Sequence, residues 1–142
     1  IELDYGNGDI ETRTYDSWGK LLTTQRGENK ERYKYDYFGR LTSKIGTKEK
    51  LYIAYNPYGQ RIGRKIESNG VKMLERRSYD EYGRLIKMSS GGKTLEYIYN
   101  DNNQIHQQII NGSIIEFTYT KYGQLKSKRM IKNNKTSEKK GM

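Results

Sequence analysis

A tyrosine-led motif that recurs about every 20 residues places the strongest constraint on how this chain can fold. In its clearest copies the motif reads Tyr-Asp-x-x-Gly, followed by a basic residue and leucine. The six copies begin at Tyr15, Tyr35, Tyr55, Tyr79, Tyr99 and Tyr119. The spacings between these tyrosines are 20, 20, 24, 20 and 20 residues. Such a period indicates an array of similar structural units, each stabilised by its neighbours.

Each position of the motif suits a tight turn between two strands. Asp or Asn at the first turn position and Gly at the fourth are typical of a type I turn. The exceptions fit, because Pro57 stands at the second position and Asn103 replaces Gly, whereas Thr120 is a weaker turn former than Asp. In the third copy the apolar residue follows Gly59 one position later than in the others, which predicts a reversed strand face unless a bulge absorbs the shift.

A second set of turn signals lies midway between the tyrosine-led turns. Asn69-Gly70 and Asn111-Gly112 are strong two-residue hairpin signals, and Gly91-Gly92 is compatible with one. Residues 27–29 and 46–48 suit slightly longer loops. Between turns the side chains alternate in character with period two, which predicts strands. The 24-residue spacing adds four residues to one hairpin, two in each strand if the hairpin is symmetric.

The predicted fold is therefore all-β, an antiparallel meander of tandem β-hairpins with about twelve strands that form a curved sheet. We expect columns of tyrosine to stack between neighbouring strands on its inward face. Residues 1–14 are predicted to form a partial repeat or leading hairpin, residues 15–125 six tandem repeats, and residues 126–142 a basic, flexible tail. Neither end resembles a capping unit, so the chain is either a piece of a longer array or pairs its open edges with another copy.

Composition excludes several classes of protein. Ile, Leu, Val and Phe account for only 26 of 142 residues, and the net charge of +10 would by itself suggest disorder, but 14 tyrosines at fixed positions argue against it. No run approaches the roughly 20 apolar residues of a membrane-spanning helix. The lack of Cys and the single His exclude disulfides and multi-histidine metal centres. No secretory signal is visible, and a start at Ile1 indicates a mature form or an excised fragment.

The positive charge is concentrated at one end of the sequence. Residues 121–142 contain eight lysines and arginines against one glutamate, whereas the first 120 residues are close to neutral. A nucleic-acid groove along the sheet is therefore disfavoured, and nucleic-acid binding through the basic tail is the third and least favoured function.

The motif Tyr-Asp-x-x-Gly-Arg-Leu, preceded by Tyr-x-Tyr as at residues 33–35, resembles the YD repeat of Rhs-repeat proteins over residues 5–125. That family includes bacterial polymorphic toxins, wall-associated Rhs proteins, shell subunits of insecticidal toxin complexes, and teneurins. The resemblance implies a segment of a spiral β-shell, which in secreted bacterial toxins encloses an effector domain. It also implies a secreted or cell-surface location, and the rest of the shell with its effector as partners. Carbohydrate or anionic wall-polymer binding is the alternative function.

We assign no catalytic, cofactor or metal site from the sequence, and we expect no enzymatic activity. The recurrent Asp and Arg residues are interpreted as turn caps that pair across each turn, and His106 as an ordinary strand residue. Glu28, Glu31, Glu75 and Glu81 are scattered, whereas acid–base catalysis needs two carboxylates in one cleft. The repeat-defining residues are Tyr15, Asp16, Gly19, Tyr35, Asp36, Gly39, Arg40, Tyr55, Asn56, Gly59, Tyr79, Asp80, Gly83, Arg84, Tyr99, Asn100, Tyr119 and Gly123. The candidate glycan contacts are Trp18, Tyr58, Tyr82 and Tyr122.

Overall fold

The computed structural model describes residues 1–131. The chain divides into two compact units, residues 1–74 and residues 75–142, the second being described as far as residue 131. Every regular element in the described part is a β-strand. The strands are β1 (Glu2–Asp4), β2 (Ile10–Tyr15), β3 (Leu21–Arg26), β4 (Asn29–Tyr35), β5 (Leu41–Gly46), β6 (Glu49–Tyr55), β7 (Arg61–Ser68), β8 (Val71–Tyr79), β9 (Leu85–Ser90), β10 (Lys93–Tyr99), β11 (Ile105–Ile110), β12 (Ser113–Tyr119) and β13 (Leu125–Ile131).

The strands form an antiparallel meander, which confirms the predicted fold class. Sheet order follows chain order from β1 to β13. In the first unit β1 to β7 pair successively, and the segment predicted to lead the array contains the β1–β2 hairpin. In the second unit, which begins within β8 at Glu75, the strands from β8 to β13 pair successively as well. The described residues include no helix, hence none that is long and apolar enough to cross a membrane.

Each tyrosine-led turn is accompanied by a β-bulge at the same place. In the second copy Gly39 N donates to Asp36 O at 3.0 Å, which closes the four-residue turn, and the register shifts beside Tyr35. Gly39 has a φ of 81°, and Asn103 takes the corresponding place in the fifth copy with a φ of 65°. The turn assignment from the sequence is confirmed, because both residues adopt the left-handed conformation that the pattern requires.

The expected face reversal in the third copy does not occur. Tyr55 pairs with Arg61, just as Tyr35 pairs with Leu41 in the second copy, and the bulge lies at the same step. A bulge is present between Ala54 and Tyr55, and Arg61 itself occupies the position that Leu41 holds in the second copy. The long stem of arginine can lie along a half-buried sheet face in place of leucine.

The midpoint turns are all short. Both central residues have positive φ in Asn69-Gly70, Gly91-Gly92 and Asn111-Gly112, as two-residue type I′ hairpins require. The longer loops predicted at residues 27–29 and 46–48 are also two-residue connections, between Arg26 and Asn29 and between the ends of β5 and β6. The four added residues lengthen β7 and β8, which have 8 and 9 residues, so this prediction is confirmed.

The predicted boundary of the basic tail is wrong for its first residues. Leu125–Ile131 forms β13, and it pairs with β12 from Ile131 opposite Ile114 to Leu125 opposite Tyr119. The lysine-rich composition suggested solvated coil, but an edge strand of a sheet readily carries exposed lysines on its surface. The remaining tail, residues 132–142, lies outside the described residues.

The sheet faces are half-buried rather than enclosed. Among the described apolar residues only Ile115, at 8% exposure, is buried. In β6 the side chains of Leu51, Ile53 and Tyr55 are half-buried, whereas the residues between them are exposed, as the alternation predicts. With so little apolar burial, hydrogen bonds and ring contacts between successive repeats become important for stability.

Candidate functional site

A recurrent arrangement of side chains surrounds each tyrosine-led turn, and we call it the turn cluster. Its first member is the Asp or Asn that opens the turn. The Oδ1 atom of Asp36 accepts hydrogen bonds from the backbone N–H groups of Phe38 and Arg40, each at 2.9 Å. The residues that open the other Asp and Asn turns make the same two bonds: Asp16, Asn56, Asp80 and Asn100. Thr120 accepts only from Gln124 N, at 3.2 Å, in agreement with its weaker turn chemistry.

The second member of the turn cluster lies four residues after the first and matches it in charge. Arg40 Nε donates to Asp36 Oδ2 at 2.7 Å, and Arg84 makes the same bond to Asp80. Where Asn opens the turn, the partner is instead Gln, as in Asn56 Nδ2 donating to Gln60 Oε1 at 3.0 Å. The corresponding pairs are Asp16–Lys20 and Asn100–Gln104. The predicted pairing of Asp with Arg across the turn is confirmed.

Hydrogen bonds from the turn backbone, together with the paired cation, lower the pKa of the aspartates. At Asp36 partial desolvation favours the neutral acid, but hydrogen bonds from the backbone and side chain of Arg40 outweigh it and hold the pKa below its ordinary value. The same balance lowers the pKa of Asp80. At Asp16 the backbone hydrogen bond from Lys20 is the largest cause of a lowered pKa. The turn aspartates are therefore fixed anions, which suits a structural role better than proton transfer.

The third feature is a cation that lies against two aromatic rings. The Arg40 guanidinium is 5.1 Å from the ring of Phe38 in its own turn and 4.7 Å from the ring of Tyr55, the leading tyrosine of the next repeat. Arg84 lies against Tyr82 and Tyr99 in the same way, at 5.3 and 4.4 Å. Each cation therefore links one repeat to the following one, and such contacts contribute about 0.5–2 kcal/mol.

The leading tyrosine provides a second link between repeats. Tyr55 Oη donates to the backbone oxygen of Leu41, fourteen residues earlier, at 2.9 Å. The same bond, between 2.5 and 2.9 Å, joins three further pairs: Tyr35 to Leu21, Tyr99 to Leu85, and Tyr119 to Ile105. The ring pairs Tyr37–Phe38 and Tyr97–Tyr99 lie within one turn and within one strand, so they do not form the expected columns of tyrosines stacked between neighbouring strands.

The candidate glycan contacts lie at the tips of the turns. Trp18, Tyr58, Tyr82 and Tyr122 are 83, 89, 76 and 79% exposed. All four occupy the third position of their turns, and in three of these turns the backbone N–H of this residue donates to the Asp or Asn at the first position. Phe38 occupies this position in the second copy with 75% exposure and was missed by the sequence reasoning. The shared turn position is the signal that would have identified it.

Other candidate groups do not assemble into a reactive centre. His106 lies within β11 as an ordinary strand residue. Glu31 accepts a hydrogen bond from Tyr33 Oη at 2.6 Å and forms an ion pair with Lys44. Burial, and secondly the hydrogen bond to Glu31, raise the pKa of Tyr33 to about 12. Glu75 pairs with Arg77. No group of His, Cys, Asp and Glu residues within residues 1–131 has the arrangement of a metal site.

Comparison with known proteins finds similarity among solved structures. No protein-family model matches the chain, and no curated protein sequence matches it. Among solved structures, the crystal structure of TcdB2-TccC3-TEV, a Tc toxin complex with an Rhs-repeat shell, is similar with a TM-score of 0.65 at 20% sequence identity. The chain has the fold of an Rhs-repeat sheet.

The Rhs-repeat resemblance of the sequence motif is thereby confirmed at the level of the fold. The similarity covers 84% of this chain but 7% of the toxin-complex chain, so the chain spans a small part of the length of that relative. The recurrent motif of this chain therefore supplies three interactions: the Asp or Asn that caps the turn, its partner four residues later, and the leading tyrosine that bonds to the preceding repeat.

The matched pairs of the turn cluster predict a compensating double substitution. Asp36→Asn alone should destabilise the chain, because Arg40 loses its carboxylate acceptor, whereas Asp36→Asn with Arg40→Gln recreates the pair seen at Asn56 and Gln60. Because Arg40→Gln also removes the contacts of Arg40 with the rings of Phe38 and Tyr55, the four proteins are compared as a double-mutant cycle. Asp36→Asn should cost clearly less stability in the Arg40→Gln background than in the parent chain, measured by urea unfolding at pH 7.

The pH dependence of the stability difference between the parent chain and Asp36→Asn is the control for this prediction. Because the folded pKa of Asp36 is lowered, its contribution is fully present above the unfolded pKa of about 4 and is lost as the pH falls through the folded value. The gap between the parent chain and Asp36→Asn should therefore narrow on acidification. If Asp36→Asn cost the same stability in the parent chain and in the Arg40→Gln background at pH 7, the pairing argument would be contradicted.

Proposed function

We propose that this chain is a structural repeat segment of a longer Rhs/YD-repeat protein and forms part of the wall of a β-shell. The observation that carries the proposal is the hydroxyl-to-carbonyl link between leading tyrosines and the preceding repeat, as from Tyr55 to Leu41. The chemistry that recurs from copy to copy joins repeat to repeat instead of converging on one cleft. The similarity to a toxin complex with an Rhs-repeat shell supports the same role.

The proposal extends to what such a wall does. A shell of this kind would enclose an effector domain of a secreted or surface-exposed bacterial protein, and the segment itself would have no enzymatic activity. Its charged groups support this role, because the turn aspartates form ion pairs within their own turns: Asp36 with Arg40, and Asp80 with Arg84. Fixed ion pairs stabilise a wall but leave no carboxylate poised to exchange a proton.

Electron microscopy tests this proposed function. The specimen is the longest natural polypeptide that contains these 142 residues, purified intact and imaged as single particles. We expect a hollow particle whose wall is one sheet thick, with density for a second polypeptide segment inside. A solid particle, or a wall without this repeat sheet in it, would contradict the proposal.

A second candidate function is supported by the exposed aromatic residues at the turn tips. Trp18, Phe38 and Tyr58 belong to successive turns of the first unit, and each is at least 75% exposed. Two strands separate neighbouring turns, so the rings recur at intervals of about 10 Å. Aromatic faces at regular spacing suit the apolar faces of sugar rings, so we propose a glycan or wall polymer as the alternative ligand.

A glycan array with matched variants separates the two functions. Trp18→Ala combined with Tyr58→Ala should abolish glycan binding without altering the melting temperature, because both side chains lie at exposed tips. Deletion of residues 132–142 serves as the comparison for nonspecific binding of polyanions by the basic tail. If the parent chain gives no signal on the array, the wall role is the one function that remains supported. Binding that survives the double substitution would exclude Trp18 and Tyr58 as the glycan contacts.

A further inference from the structure

Within residues 1–131, the edge of β13 that faces away from β12 is unpaired. In the sheet order β13 comes last. Leu125 and Met130 on this strand are 58 and 69% exposed. An open edge carries unpaired backbone N–H and C=O groups, which are a template for the addition of an extended strand.

The rest of the chain shows what normally occupies such an edge. Leu125 follows the sixth turn at the position that Leu21, Leu41 and Leu85 hold after earlier turns. At each of those positions the backbone oxygen accepts a hydrogen bond from a tyrosine hydroxyl fourteen residues later. Position 139, fourteen residues after Leu125, is Lys. The Leu125 carbonyl therefore has no tyrosine at the fourteen-residue spacing that serves Leu21, Leu41 and Leu85.

The charge of β13 specifies the partner further. The strand contains Lys126, Lys128 and Arg129 and no acidic residue, and the two lysines form no ion pair with residues 1–131. Arg129 pairs with Glu116 at 3.1 Å. In the equivalent hairpin of the first unit, Thr24 lies opposite Glu31. Thr24 corresponds to Lys128 when Leu21 is aligned with Leu125, so an acidic residue on an added strand would face Lys128 there.

We propose that the open edge of β13 binds an extended strand from another polypeptide, with a glutamate or aspartate opposite Lys128 and a tyrosine whose hydroxyl donates to the Leu125 carbonyl oxygen. The added strand is antiparallel to β13 and continues the register of the earlier hairpins. This inference goes beyond the proposed wall role, because it concerns the chemistry of a partner and depends on β13 alone.

A designed peptide tests the proposal on the full 142-residue chain. The probe has the sequence of residues 29–40 with Lys30→Glu, so that acids lie opposite both Lys128 and Arg129 and its Tyr35 is placed for Leu125. Binding is measured by fluorescence anisotropy of the labelled peptide. We expect saturable binding that weakens about three- to ten-fold when the peptide carries Tyr35→Phe, the range that loss of one hydrogen bond produces.

Charge variants locate the peptide on the protein. Lys128→Glu should weaken binding several-fold, and a peptide with Glu31→Lys should bind this variant better than it binds the parent chain. Lys48→Glu, at an exposed hairpin tip, is the matched control and should leave the affinity unchanged. Equal binding of the peptides with and without Tyr35→Phe, or no effect of Lys128→Glu, would overturn the proposal.

A second copy of the chain is the competing occupant. Analytical ultracentrifugation over a range of concentrations would detect it, because the edge would then be filled by self-association. We expect a monomer at the concentrations used for peptide binding. Concentration-dependent oligomers that exclude the peptide would overturn the proposal in favour of pairing between copies. Neither result depends on whether the longer protein forms a hollow shell, so failure here and failure of the proposed function are distinguishable.

Discussion

Gly39→Val is expected to lower the free energy of unfolding by about 1–3 kcal/mol, because a β-branched residue would be forced into a left-handed conformation. Gly39 has a φ of 81° at the fourth position of its turn. A Cβ atom added there would meet only the Cδ of Lys20, at 3.9 Å. Space is available, so the cost comes from backbone strain and not from a steric clash. Urea unfolding followed by circular dichroism measures it.

The chain contains its own control for this prediction. Asn103 takes the place of glycine in the fifth turn with a φ of 65°, so Gly39→Asn should cost clearly less than Gly39→Val. Gly59→Val should cost at least as much as Gly39→Val, because its Cβ would also lie 3.1 Å from Nη1 of Arg40. If valine and asparagine at position 39 gave equal stabilities, the left-handed turn would not be what the glycine provides.

The sequence predicts most of this fold because its turns are local. Asp36, Gly39 and the Asn-Gly pairs each determine a turn within four residues, and the strand alternation determines which side chains share a face. The third copy shows the limit of this reasoning. Arg61 lies opposite Tyr55, at the position that leucine holds in other copies, but because arginine is charged the sequence pattern treated Ile62 as the apolar residue of that position.

Contacts between repeats could not be read from residue identities alone. The hydroxyl of Tyr55 donates to a backbone oxygen, and every residue has a backbone oxygen, so no particular side chain in the sequence indicates this contact. The Asp–Arg pairs were predicted from the sequence, and the Asn–Gln pairs could have been found in the same way, since Gln follows Asn four residues later. The tail boundary was missed because exposed lysines are compatible both with coil and with the edge strand β13.

The leading tyrosines should be the largest side-chain contributors to stability, and Tyr55 is a suitable test. Its ring is half-buried, lies 4.7 Å from the guanidinium of Arg40, and its hydroxyl binds Leu41 O. Tyr55→Phe removes only the hydrogen bond and should cost about 0.5–1.5 kcal/mol. Tyr55→Ala also removes ring burial and the cation contact and should cost about 2–4 kcal/mol. Urea unfolding of both variants beside the parent chain measures the two costs.

Tyr58 provides the matched comparison three residues away. It is 89% exposed at the turn tip, so Tyr58→Ala should change the free energy of unfolding by about 0.5 kcal/mol or less. The contrast separates two classes of tyrosine: leading tyrosines that hold the sheet together, and turn-tip tyrosines that are exposed to solvent. If Tyr58→Ala were as destabilising as Tyr55→Ala, the exposed ring would have a structural role, and its use as a glycan contact would lose its support. If Tyr55→Phe were neutral, the hydroxyl-to-carbonyl link would not stabilise the array, and the open carbonyl of Leu125 would give no selectivity for a tyrosine-bearing strand.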